Sequence, residues 1–307
     1  MSQSIPFITG VSGLNTVVDP VRVQYSAETG VSDLSVAINI TIDDTGRPKR
    51  RTGYSKAIEG NYHSLFCDGG DCFVVEDRQT NSAIYRVGTD LSLAGVRSGL
   101  SLGKQIAFLQ VQDETYYCNG VDNGIIKDGV SDEWLVGKYV GPETNRQFTD
   151  IPIGEHLAWF NGRIFISSGG AVYWSELFKY GLFDRARSVW QVGKKVLMIK
   201  PVEAGIFISD DKATWFYRGG VPSRLESVTK VAAYPAIEWS DAIDYIEGAD
   251  IGLEPGLCAL WASPEGACIG TSSGQFINMN KEKVIYPSSV RQGAGLLQGY
   301  HFIHTMR

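Results

Sequence analysis

Five carboxylates stand where a sugar-cleaving pair would be sought: Asp68, Asp113, Asp211, Glu238 and Asp241. Glycoside hydrolysis needs two carboxyl groups flanking one bond, one as acid and the other as base or nucleophile. These five fall mostly in turns or in an irregular stretch. They share no position that would aim them at one axis, so no catalysis is expected of them. Asp211 lies in the tight turn of Ser209–Trp215, where an Asp is expected to bond its own backbone and to matter for stability. Gly-x-Ser-x-Gly, the strained turn that presents a nucleophilic serine, is absent, as is the phosphate-cradling Gly-x-x-x-x-Gly-Lys-Ser/Thr. Gly69-Gly70, Gly169-Gly170 and Gly219-Gly220 read as hairpin turns.

The five cysteines, at 67, 72, 118, 258 and 268, form no Cys-x-x-Cys and sit in or beside apolar runs, so reduced, buried cysteine is expected, with a zinc site or redox pair as the lesser alternative. Four histidines, two of them the near-terminal His301 and His304, give no Cys/His ligand spacing. No metal and no cofactor is expected. Arg47, Lys49, Arg50 and Arg51 form the one basic cluster. It is either solvated, or grips an acidic neighbouring subunit, or touches DNA. Residues 236–255 have the opposite character: Glu238, Asp241, Asp244, Glu247, Asp250 and Glu254 with no Lys or Arg. Carboxylates every third residue beside Ile237, Ala242, Ile243 and Ile246 predict a short amphipathic surface helix. That helix is either solvated or docks a basic partner. Arg47, Lys49, Arg50 and Arg51 with Glu238, Asp241, Asp244 and Glu247 are therefore the candidate subunit interface. Trp159, Trp174 and Trp215 occupy matching strands and are expected in the core, with a sugar-stacking platform as the alternative.

These residues are carried by a repeat. Arg163–Trp174 aligns with Gly205–Phe216: an apolar triplet, Ser, a turn, then Ala-x-aromatic-aromatic. Further copies begin near Phe73, Tyr116 and Ala267, and each is preceded by another apolar stretch, such as Leu157–Phe160 or Val196–Ile199. The unit is strand, hairpin, strand, strand at a spacing of 42 to 48 residues between the first four anchors, the period of a β-propeller blade. One small twisted sheet cannot bury both faces, whereas radially packed sheets bury each other. The last interval, 61 residues, makes room for the acidic insertion. The expected fold is all-β: a single β-propeller of five blades, or six if the terminal strands form their own. Residues 1–32 read as an N-terminal extension and 33–307 as the propeller.

Composition agrees. Thirty-five glycines with 14 Tyr, 13 Phe and 7 Trp suit short strands and tight turns, and a net charge of −6 lacks the basic character of a dedicated DNA binder. No apolar run approaches the roughly 20 residues of a membrane helix, and the first 15 residues lack a secretory pattern, so synthesis in the cytoplasm is expected. Asn39–Ile42 alternates, Asp43–Gly46 turns and Pro48–Tyr54 returns, a hairpin. Ala294–Leu297 and Tyr300–Ile303 read as terminal strands that close the ring and remove free edges.

The stretch Asn39–Tyr54, with its asparagine, apolar alternation, Asp-x-Gly turn, basic residues and Gly-Tyr, resembles the opening of bacteriophage tail proteins that carry a propeller. Tyr173-Trp174-Ser175-Glu176 with Trp190 resembles a second element of that group, without its usual Gly-Asp-Pro after Ser-Glu, and Arg291–Ala294 is compatible with it. Ser209–Trp215 is similar to the Asp-box of sialidase-like propellers, one residue short and with Ala in place of Gly. The tail resemblance implies a virion structural protein of the hub or nozzle type, located in the tail and made in the host cytoplasm. Its partners would be copies of itself in a ring and other tail or neck proteins, with transient contact to passing DNA. An acidic passage suits that role, since attractive charge would retard DNA. A carbohydrate-binding or carbohydrate-hydrolysing propeller and a non-viral interaction scaffold remain the alternatives.

Overall fold

The apolar triplets of the repeat fold as the second strand of successive four-stranded antiparallel sheets. The computed structural model describes residues 10–23, 30–43, 45–53, 55–68, 70–143, 145–248, 252–280, 283–287, 289–298 and 301–306. An N-terminal arm comes first. It holds β1 (Gly10–Leu14) paired in parallel with β2 (Val31–Leu34), and the hairpin β3 (Ile40–Ile42) and β4 (Pro48–Arg50). Blade 1 comprises β5 (Tyr62–Asp68), β6 (Asp71–Asp77), β7 (Ser82–Val87) and β8 (Leu93–Leu100). Blade 2 comprises β9 (Ala107–Val111), β10 (Glu114–Cys118), β11 (Asn123–Lys127) and β12 (Val130–Asp132). Blade 3 comprises β13 (Leu157–Phe160), β14 (Arg163–Ser168), β15 (Ala171–Trp174) and β16 (Val189–Gln191). Blade 4 comprises β17 (Val196–Val202), β18 (Gly205–Asp210), β19 (Thr214–Arg218) and β20 (Ser227–Ala232). Blade 5 comprises β21 (Ala242–Ile246), β22 (Gly256–Ser263), β23 (Gly266–Gly270) and β24 (Phe276–Asn278). A C-terminal hairpin, β25 (Gly293–Gln298) and β26 (His301–Met306), packs on β21 and β22. First strands meet from blade to blade, β5 with β9, β9 with β13 and β13 with β17.

Strand alternation explains why the triplets are apolar throughout. Successive side chains leave opposite faces of a sheet. Ile164 and Ile166 of β14 pack on blade 2 with Tyr116 and Phe183, while Phe165 between them packs on blade 4 with Ile206 and Ile208. Phe207 of β18 then faces blade 5, against Phe216, Trp261 and Cys268. Phe73 and Ile84 join blade 1 to Tyr117 and Ile126 of blade 2. Leu260 and Ile269 of blade 5 pack with Leu297 and Phe302 of the C-terminal hairpin. Blades 2, 3 and 4 are thus each the filling between two neighbouring blades, and blade 5 lies between blade 4 and the C-terminal hairpin, the arrangement expected of a propeller.

The arm is clasped to the far end of the chain. Asp33 accepts hydrogen bonds from Ser12 and from Asn15 Nδ2 (2.8 Å), and its carboxylate meets Lys283 Nζ at 3.0 Å. Thr16 N donates to the Lys283 carbonyl at 2.7 Å. Lys283 follows the last strand of blade 5, so terminal elements engage the blades from both ends of the sequence.

Several expectations need correction. The described residues contain no α-helix, only a 3₁₀ turn at Pro20–Arg22. Residues 175–185 are turns, and the expected acidic helix is replaced by β21, whose pairing with β22 overrides the three-residue carboxylate spacing. Cys67 and Cys72 form a disulfide across the β5–β6 hairpin, whereas Cys118, Cys258 and Cys268 are free and buried as expected. Trp174 is buried and Trp215 partly buried, but Trp159 is 40% exposed, the one exposed residue of its strand. Asp44, Tyr54, Asp250 and Tyr300, which belong to these expectations, lie outside the described residues.

Candidate functional site

A polar residue lies within a few positions ahead of each first strand, and the fold brings these residues together. Asn61 precedes β5, Gln105 and Ile106 precede β9, Glu155 and His156 precede β13, Lys195 precedes β17, and Glu238 lies in the segment leading to β21. Asn61, Gln105, Glu155, Lys195 and Glu238, one from each blade, line a single cavity of about 340 Å³. A second cavity of about 550 Å³ shares Tyr62, His63, Gln105 and Trp239 with it and runs on between the first strands and the C-terminal hairpin. Together they form an axial channel with a polar mouth. Its deeper wall is apolar, with Phe66, Phe108, Leu157, Ile199, Leu296 and Ile303.

Glu238 is the most constrained group at the mouth. Its segment is fixed from all sides by backbone bonds. Ala236 N donates to Ser209 Oγ at 2.7 Å, Ile237 N to the Ala262 carbonyl at 2.8 Å, and Gly293 N to the Glu238 carbonyl at 2.8 Å. The buried Ser240 hydroxyl donates to the Ile237 carbonyl at 2.6 Å and accepts from Ala262 N at 3.0 Å. Between them Trp239 holds φ at +67°, a left-handed conformation that a bulky residue adopts only under such constraint.

The Glu238 carboxylate, 4% exposed as a residue, receives Lys195 Nζ at 2.7 and 2.8 Å on its two oxygens. Lys195 reaches Glu155 at 3.7 Å. His156 Nε2 lies 3.5 Å from Glu238 Oε1, beyond good hydrogen-bond geometry, and this buried nitrogen has no hydrogen-bond partner. The imidazole is held against the Trp239 ring, with centroids 4.4 Å apart. Burial pushes the Glu238 carboxyl upward, but the facing His156 and Lys195 outweigh it and hold it below the ordinary range. Glu155 and His156 are set by β14: Glu155 N donates to the Ser167 carbonyl at 2.9 Å and His156 N to Ser167 Oγ at 3.0 Å. Gly154 permits this approach, since a Cβ there would lie 2.0 Å from the Ser167 carbonyl oxygen. Deeper in the channel Lys200 Nζ pairs with Asp241 at 2.6 Å.

The structure thus gathers some expected site residues and scatters others. Glu238 and Asp241 turn into the channel. Of the five carboxylates expected not to be aimed at one axis, these two line it, and Glu238 there joins Glu155, which was not among the five. Asp244 and Glu247 stay exposed on blade 5. Arg47, Lys49 and Arg50 are exposed on the β3–β4 hairpin, where Lys49 pairs with Asp43 at 2.8 Å, and Arg51 N donates to the Asn39 carbonyl. Asp68 and Asp113 are exposed at hairpin ends, Asp113 beside Lys127. Asp211 accepts only a 3.2 Å bond from Lys194 N, whereas Asp210 makes the turn bonds expected of it. Glu155, His156 and Lys195 went unread in the sequence. The signal for them was the polar residue ahead of each first strand.

No family model and no curated protein matches the chain. Among solved structures, a putative 6-phosphogluconolactonase from Bacteroides fragilis is 11% identical, with 80% of this chain and 77% of that one covered and a TM-score of 0.46. BBS1N, crystallised in complex with ARL6DN, is 13% identical over 85% and 80% of the two chains, with a TM-score of 0.45. Hsv2 from Kluyveromyces lactis is 10% identical over 76% and 86%, with a TM-score of 0.36. Five four-stranded antiparallel sheets among the described residues, packed in succession face to face about one channel, make this chain a β-propeller.

Proposed function

We propose that the protein is a non-catalytic structural component of a phage tail that assembles head-to-tail into a ring and docks other tail proteins. The observation that carries this reading is the N-terminal arm. Val21, Val36 and Ile38 are 92%, 67% and 79% exposed there, beside the exposed Arg47 and Arg50. Apolar side chains left in water next to a basic hairpin mark a docking surface rather than a solvated end. The same chain carries a complementary surface: Asp244 and Glu247 on or beside β21, with Ile243 and Tyr245 also exposed. Two different patches that fit each other make a heterologous contact, which closes into a ring when the rotation permits. The likeness of residues 39–54 and 173–190 to tail proteins supports the same assignment, as does the net charge of −6 beside passing DNA.

A carbohydrate-active propeller is the second reading, favoured by Glu155 and Glu238, whose carboxylates lie within 4.8 Å at the axis. The Lys195 ammonium contacts both and fills the space a glycosidic oxygen would need. Arg47→Glu with Arg50→Glu separates the readings. We expect ring formation and incorporation into particles to fail, with an unchanged melting temperature, because exposed charges contribute little to folding. Adding Asp244→Lys and Glu247→Lys restores assembly. Normal particles from the double Arg variant would exclude the hairpin as an interface. Cleavage of a host glycan, abolished by Glu155→Gln in folded protein, would favour the second reading.

A further inference from the structure

We infer that the mouth of the axial channel is a binding site for one divalent transition-metal ion, with zinc the best fit, held by His156 Nε2 and the carboxylates of Glu238 and Glu155. One ligand atom from each lies within 4.8 Å of the others, close enough to share one ion. The independent observation is His156. A ring nitrogen so deeply buried and without a partner carries a desolvation penalty of about 1–3 kcal/mol that a hydrogen bond normally removes. It faces Glu238 Oε1 at 3.5 Å, longer than the usual hydrogen bond of about 2.7–3.2 Å and a separation that two ligands of a common ion adopt. The tilted Trp239 ring at 4.4 Å fixes the imidazole plane, and Ser167 fixes the backbone of both Glu155 and His156, so the ligands are organised before any ion arrives.

The donor set selects the ion. One imidazole and two carboxylates suit zinc, manganese or ferrous iron, while hard all-oxygen ligation for magnesium or calcium is not offered. Three protein ligands leave one position of a tetrahedral zinc open toward the channel. Lys195 gives the site its regulation. Its ammonium now contacts both carboxylates, and its side chain is 42% exposed, so it has a path to solvent. An incoming ion takes the charge-neutralising role of Lys195 and displaces it outward. The ion also ties the segment ahead of blade 3 to the segment ahead of blade 5, across the axis.

Isothermal titration of the full chain with zinc, and with manganese for comparison, tests this directly. One zinc per chain is expected, raising the melting temperature. Glu155→Gln, at the half-exposed ligand, lowers affinity by at least about tenfold, and Glu238→Gln does the same. Lys195→Met strengthens binding by about tenfold or more, which a purely structural lysine would not do, since its loss leaves a buried carboxylate unpaired and weakens the fold. Absence of zinc binding in both the wild type and Lys195→Met overturns the proposal. Binding indifferent to Glu155→Gln and Glu238→Gln overturns it equally, because the ion would then sit elsewhere, for example at a free thiol. Should Glu238→Gln not fold, Glu155→Gln and Lys195→Met decide alone.

Discussion

Two adjacent aspartates on the β18–β19 turn divide the work unequally. Asp210 Oδ1 accepts from Lys212 N and Ala213 N, both at 2.7 Å, and its Oδ2 accepts from Trp215 Nε1 at 3.1 Å. Asp210 and Ala213 are buried, and Asp210 N also donates to the Ala213 carbonyl. Asp211 is exposed. Asp210→Ala is expected to cost about 2–4 kcal/mol, since two backbone donors and an indole lose a charged acceptor inside the protein. Asp211→Ala is expected to cost less than roughly 1 kcal/mol. Urea midpoints of the two variants check the ratio, and equal costs would refute the assignment. From the sequence, the Asp-box pattern identified the turn but placed its anchor one residue late. The pattern here is contracted, and only the direction of the side chains tells which Asp faces inward.

At the scale of the element, the clasp between the arm and the far end of blade 5 makes a pH-dependent prediction. Hydrogen bonds from Asn15 and Ser12, then the Lys283 ammonium, outweigh burial and lower the Asp33 carboxyl to about 2. A carboxyl depressed in the folded state stabilises above its unfolded value near 4, and that contribution is lost as pH falls from about 4 toward 2. Asp33→Asn is expected to lower stability by about 1–2 kcal/mol at neutral pH, with the gap to wild type closing over that window. Denaturation of both proteins across pH 2–7 measures it, and a gap that does not change with pH would show that the carboxylate charge is irrelevant. The strands themselves were legible, because alternation and the 42-residue spacing are local properties. The expected acidic helix was not, since carboxylates at every third residue fit a helix but Ala242–Ile246 gains more by pairing with β22. The clasp was illegible as well, for it joins residues 250 positions apart.

For the whole molecule, stability is a chain of blade-to-blade interfaces. Phe207 is fully buried between blades 4 and 5 against Phe216 and Trp261. Phe207→Ala is expected to cost about 3–5 kcal/mol, and hydrogen exchange should then rise first in those two blades. Uniform loss of protection in all five would contradict nearest-neighbour packing. The propeller was readable from its period. The axial cluster was not, because Glu155, Lys195 and Glu238 are ordinary charged residues until closure of the ring points them at one another. Closure has a further consequence for synthesis. Asp33 leaves the ribosome 250 residues before Lys283. At about 5–20 residues per second, the nascent arm waits roughly 12–50 s for its clasp. Throughout that interval Val21, Val36, Ile38 and the basic hairpin are displayed to whatever stands nearby. In the proposed assembly, neighbouring nascent chains on one messenger RNA therefore meet arm-first.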